Sequence, residues 1–130
     1  MTVPPLRLPR HFTPTHQTSG LPGFPAIDCF AQGGAYVCAE FAGTIIKLSG
    51  HVPTPTTAPG GPYGWSIYLR TSEGVYFLTH FGSKAAQHIF VGSKIKRGQL
   101  LGRVADYSKA TNGVTPSHIH LGFHAGPWTP

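Results

Sequence analysis

Glycine and proline punctuate this chain so densely, at 17 and 13 of its 130 residues, that long helices are excluded and the apolar stretches are cut to strand length. Hydrophobic residues make up 40% and aromatic residues 12%, which is enough to fill a packed interior. Short apolar runs divided by turn residues predict an all-β fold. The length suits one compact domain and is too short for two of ordinary size.

Residues 1–25 are rich in proline and polar residues and read as an extended arm and loop, with residues 26–130 forming the body of the domain. From Ala26 the segments "AIDCFA", "AYVCAEF" and "GTIIKLSG" are strand-length and read as a meander. Residues 51–64, "HVPTPTTAPGGPYG", read as a surface loop long enough to border a groove. "WSIYLRTSEGVYFLTHF" is the clearest hairpin, turning at Ser72-Glu73-Gly74 and carrying His80 at its far end. "KAAQHIF" fits one short helical turn, "VGSKIKRGQLLGRV" two short strands, and "SHIHLGF" the last strand.

A net charge of +6 and a pI near 9.7 favour an acidic partner such as an anionic cell surface or wall polymer. Apart from Lys94, Lys96 and Arg97 the basic residues are scattered, without the aromatic interleaving of a nucleic-acid module, so no nucleic-acid role is expected. No apolar run approaches transmembrane length, and the opening "MTVPPLRLPRHFTPTH" lacks the apolar run of a signal peptide. The expectation is a protein with no membrane insertion that reaches any extracytoplasmic target by another route.

Only four carboxylates are present, Asp28, Glu40, Glu73 and Asp106, and no His-Glu-x-x-His motif accompanies them. Cys29 and Cys38 would face each other if Gly33-Gly34 were a two-residue hairpin turn. A cross-strand disulfide and two buried free thiols are both compatible with that spacing.

The segment "SHIHLGFH" (residues 117–124) alternates imidazoles with apolar side chains. On a strand, His118 and His120 share one face while Ile119, Leu121 and Phe123 share the other. Two imidazoles so placed are close enough to serve one metal. Asp28 sits in the otherwise apolar "PAIDCF", where a carboxylate is costly to bury unless paired or metal-bound. His16 adds a third candidate donor, and two histidines with one aspartate suit a catalytic zinc that keeps a fourth position for water. His11, His51, His88 and His124 have no companion motif.

Taken in order, "AIDCFAQGGAYVCAEFAGTI", "GGPYGWSIYL", "YFLTHF", "VGSKIKRGQLLGRV" and "SHIHLGF" resemble the lysostaphin-like zinc endopeptidases, which cut peptide bonds in bacterial peptidoglycan. The resemblance spans roughly residues 16–124. It implies antiparallel sheets forming a barrel-sandwich with a groove, a Zn2+ ion held by His16, Asp28 and His120, and two catalytic histidines, His80 and His118. It implies peptidoglycan peptides as the partner and the bacterial cell wall as the place of action. The wording of "GLPG…AID" and "GWSIY…LTH" also resembles phage-encoded members, which implies a phage lysin or a virion-associated lytic protein.

Two departures from the family pattern stand out. Eleven residues separate His16 from Asp28 where members commonly have three, which leaves His11 as a competitor for the first ligand position. Leu78 stands two residues before His80, where members often have tyrosine, with Tyr76 nearby. Which of His80 and His118 is the general base stays open. So do three rival readings: a non-catalytic wall-peptide or partner-binding module of the same fold, a phosphocarrier domain of related barrel topology, and a zinc carboxypeptidase.

Overall fold

The computed structural model describes residues 3–49, 65–83, 89–106 and 116–130, and every regular element among them is a β-strand. The strands are β1 (Leu6–Leu8), β2 (His16–Gln17), β3 (Pro25–Phe30), β4 (Tyr36–Ala39) and β5 (Gly43–Ser49). After them come β6 (Trp65–Arg70), β7 (Gly74–Ser83), β8 (Lys94–Ile95), β9 (Leu100–Val104) and β10 (His118–Ala125). They form one curled sheet in the order β1-β4-β9-β7-β10-β3-β2, with β6, β5 and β8 branching in turn from β7. Every described pairing is antiparallel except that of β1 with β4. The expected all-β class, a curled half-barrel bearing a groove, is what the chain adopts.

Alternation decides which face of β10 packs. Ile119 and Leu121 are fully buried in the main core with Leu8, Val37, Leu78 and Phe81, while His118 and His120 point the other way. A one-residue slip would expose those two aliphatic side chains and bury the imidazoles. At roughly 1.5–3 kcal/mol per aliphatic side chain, such a slip is strongly disfavoured, and the register fixes the histidines on the open face. A second cluster, built from Phe24, Tyr68, Val75 and Phe77, packs on the opposite side of β6 and β7 with Trp128 stacked on Tyr68.

The meander expected from Ala26 onward does not form. β3 and β4 are consecutive in the chain, yet β3 pairs with β10 and β2 while β4 pairs with β1 and β9. Gly33-Gly34 therefore joins two strands that part company instead of closing a hairpin. Cys29 and Cys38 consequently stand apart as free thiols. The hairpin at residues 72–74 and the two strands within "VGSKIKRGQLLGRV" do form as expected. The loop expected over residues 51–64 lies outside the described residues, as do His51, His88 and most of the expected helical turn.

Two carboxylates strap the N-terminal arm to this body. Arg7 and Arg97 both bond Glu40, at 2.9 and 3.1 Å, where β1 lies along β4. Arg10 and His11 bond Glu73 at the β6–β7 turn, at 2.8 and 3.0 Å, and the buried Tyr76 hydroxyl donates to the Arg10 carbonyl. Past these anchors the arm runs alongside β3 as β2, with Thr15 N donating to Ala26 O at 2.8 Å.

Candidate metal centre

β10 lies between β3 and β7, and its register sets His120 opposite Asp28 on one side and Thr79 on the other. β2 adds His16 opposite Ala26, two residues along β3 from Asp28 and on the same face. His16 Nε2, Asp28 Oδ1 and His120 Nδ1 converge as a result. Their separations are 3.2 Å between the two nitrogens, 3.4 Å from His16 to Asp28 and 3.5 Å from His120 to Asp28. Tetrahedral zinc bonds of about 2.0–2.1 Å place neighbouring ligand atoms roughly 3.3 Å apart. The three donors are thus spaced as three corners of such a tetrahedron, and the set fits zinc in both chemistry and size.

Each of the two converging nitrogens is aimed by a partner on the other side of its ring. Thr18 Oγ1 lies 2.8 Å from His120 Nε2, and Thr15 Oγ1 lies 2.9 Å from His16 Nδ1. Hydroxyls accepting from those nitrogens leave the lone pairs of His120 Nδ1 and His16 Nε2 turned to the centre. Thr18 is buried, and its hydroxyl occupies space that a side chain on β10 would fill: a Cβ at Gly122 would sit 2.7 Å from Thr18 Oγ1. Burial pushes the His120 imidazole below its ordinary pKa, the neighbouring His16 adds to the shift, and Asp28 opposes it. The shift favours the neutral imidazole, the form in which histidine binds a metal.

His118 and His80 stand beside this trio with their rings 4.8 Å apart in a T-shaped contact. His118 Nδ1 donates to the Pro116 carbonyl at 2.8 Å. A carbonyl can only accept, so Nδ1 carries the proton and Nε2 is the basic nitrogen, 3.8 Å from Asp28 Oδ1.

His80 reaches the groove by a break in alternation. Tyr76 and Leu78 belong to the main core, and strict period two would send His80 there as well. Instead His80 takes φ +81°, and the β6–β7 pairing jumps from Ser66↔Thr79 to Trp65↔Phe81. This bulge turns His80 to the groove face next to Thr79 and returns Phe81, not His80, to the core. A histidine in the left-handed region costs of order 1–3 kcal/mol, a strain that clusters at functional positions. Beyond the bulge, Ala105 N donates to His80 O at 2.9 Å and fixes the kinked backbone.

The groove holds about 590 Å³ and is lined by His16, Thr18, Tyr68, Thr79, His80 and His120 among others. Neither Leu78 nor Tyr76 brings a hydroxyl to the groove. Leu78 is fully buried, and Tyr76 stacks on Phe41 with its hydroxyl turned to the arm. His11 is engaged with Glu73, and His124 packs against Phe24, so neither joins the cluster. Sequence reasoning missed Thr18 and Gly122. Their signal is weak, since a threonine in a polar arm and a glycine in an apolar strand each have many ordinary uses.

No family model matches this chain, and no curated protein matches its sequence. Solved structures do share its fold. Helicobacter pylori Csd3 aligns with TM-score 0.58 and 20% identity, over 95% of this chain and 30% of that one. An alanine-to-histidine mutant of the catalytic domain of the prophage-encoded M23 protein EnpA from Enterococcus faecalis aligns with TM-score 0.57 and 18% identity, over 89% and 80%. A Pseudomonas aeruginosa protein described as a peptidase M23 aligns with TM-score 0.54 and 18% identity, over 95% and 49%. The chain therefore spans about a third of Csd3 and half of the Pseudomonas protein, and its fold is that of M23 peptidases.

Proposed function

We propose that this chain is a zinc-dependent peptidoglycan endopeptidase of the lysostaphin-like kind, hydrolysing stem or cross-bridge peptide bonds of the bacterial wall. The observation that carries the reading is the trio His16, Asp28 and His120, whose donor atoms are spaced for tetrahedral zinc. In this reading residues 26–130 are the catalytic domain and the arm of residues 1–25 supplies His16. The net charge of +6 suits an anionic wall. The likeness in fold to the catalytic domain of a prophage-encoded M23 protein supports a phage lysin or a virion-associated lytic protein as the setting.

Bound zinc would supply Lewis acidity, polarising a carbonyl and making water acidic near neutral pH. His118, with its proton fixed on Nδ1, accepts the proton of the attacking water at Nε2 and later delivers it to the departing amine. His80, beside it in the groove, donates to the oxygen that gains charge as water adds and the C–N bond breaks. Asp28 balances charge at the trio and faces His118 Nε2 as that nitrogen becomes protonated.

The test is zinc content together with the appearance of new amino termini in purified peptidoglycan. His118→Ala should keep its zinc and lose hydrolysis, whereas His120→Ala should lose zinc. Equal zinc loss in both variants would refute this division of roles, and a zinc-loaded wild type that releases nothing would favour a binding module.

A further inference from the structure

The four carboxylates of the chain are put to different uses. Glu40 holds Arg7 and Arg97, Glu73 holds Arg10 and His11, and Asp28 faces the histidines. Asp106, itself engaged within the protein, lines a second open cavity of about 690 Å³, together with Phe30, Gln32, Gly33, Pro116 and Ser117.

This cavity adjoins the side of the site that transfers protons. The Phe30 ring lies 5.6 Å from the His118 ring, and Pro116 is the residue whose carbonyl fixes the His118 tautomer. Asp106 directly follows Ala105, whose N–H bonds the His80 carbonyl. A peptide lying across His80 and His118 has this cavity within reach past the Phe30 ring.

Its chemistry is selective in sign. The carboxylate rests against the backbone of Gly33, where an added Cβ would stand 2.5 Å from Asp106 Cγ. A carboxylate offers about four acceptor positions, so a bond made within the protein leaves room for a ligand. Phe30, 63% exposed, lines the same cavity and offers it an aromatic ring, a kind of surface that a cation favours. On a protein with net charge +6, this is a place where a cationic group on an otherwise anionic polymer is drawn instead of repelled.

We infer that the Asp106 cavity is a subsite for a primary ammonium group on the bound peptide, with Asp106 as its specificity-determining residue. The ammonium belongs to a diamino side chain or free amino end near the bond to be cut. Its role in selecting a substrate rests on the peptidase reading; its binding chemistry does not.

Two peptides serve as probes for the zinc-loaded protein: Gly-Gly-Lys-Gly, blocked at both ends, and the same peptide acetylated on the lysine side chain. The lysine peptide should shift the backbone amide resonances of Phe30, Gln32 and Ser117 and bind roughly tenfold tighter than its acetylated form. Asp106→Asn, which removes charge at constant shape, and Gly33→Ala, which displaces the carboxylate at constant charge, should each abolish that preference with zinc content unchanged. Acetylating the amines of purified peptidoglycan should likewise slow the wild type roughly tenfold and leave Asp106→Asn unaffected. Equal affinity for the two peptides, or a preference that survives in both folded variants, overturns the subsite. A preference that holds in a protein releasing nothing from the wall supports the subsite and sinks the peptidase reading instead.

Discussion

Thr18 and Asp28 flank opposite nitrogens of one ring: Thr18 Oγ1 is 2.8 Å from His120 Nε2, and Asp28 Oδ1 is 3.5 Å from His120 Nδ1. The hydroxyl thus sets which nitrogen of His120 is offered to a metal. Outer partners of this kind are typically worth about 10–100-fold in metal affinity. Thr18→Val should weaken zinc binding by that order in a competition with a chromophoric chelator, and Gly122→Ala should do so by pushing the hydroxyl aside. Unchanged affinity in both would show that the hydroxyl does not orient the ring.

The strain at His80 has a signature in stability. Glycine adopts φ +81° without penalty, whereas alanine carries the same steric cost as histidine. His80→Gly should therefore be about 1 kcal/mol more stable than His80→Ala toward urea, while both lose hydrolysis. The reverse order would mean that the bulge is not held at positive φ in solution.

Acid should loosen the strap on the arm. Hydrogen bonds from Arg7 and Arg97 hold the Glu40 carboxyl below its ordinary 4.5, and those from His11 and Arg10 do the same for Glu73. The unfolded chain takes up these protons first as pH falls. The stabilisation is therefore complete above 4.5 and disappears as pH drops through the lower folded values. Melting temperatures followed from about pH 6 to about pH 3 should fall less steeply for Glu73→Gln than for the wild type. An identical acid limb would show that Glu73 keeps no such advantage.

The cysteines should both titrate with a thiol reagent, because they are unpaired. Burial, aided by the charge of Asp28, pushes the Cys29 thiol up to about 11, so little of it is the reactive thiolate near neutral pH. Cys38→Ser should leave a slowly reacting thiol. A chain that yields no thiols until reduced would contradict the separation of β3 and β4.

Much of the candidate site was legible because alternation is a local property. The spacing of His118 and His120 places both imidazoles opposite Ile119 and Leu121 whatever the rest of the fold does. A carboxylate among the apolar residues of "PAIDCF" is marked in the same way, since its burial needs compensation. The all-β class and the hairpin turn at residues 72–74 follow from glycine, proline and short apolar runs for equally local reasons, whereas β1 and β2 lie in an arm that reads as loop.

The tertiary structure decided which strands are neighbours, and the site depends on that. β3 leaves β4 to pair with β10, which sets Asp28 opposite His120 across some ninety residues of chain. The arm returns His16 to the same face by pairing β1 with β4 and β2 with β3, while Glu40, Glu73 and Tyr76 tie it along the sheet. His80 enters the groove only through a bulge that reverses the parity of β7. Side-chain alternation is written into each short segment, whereas partner choice, register and bulges emerge from competition among distant segments for one shared core.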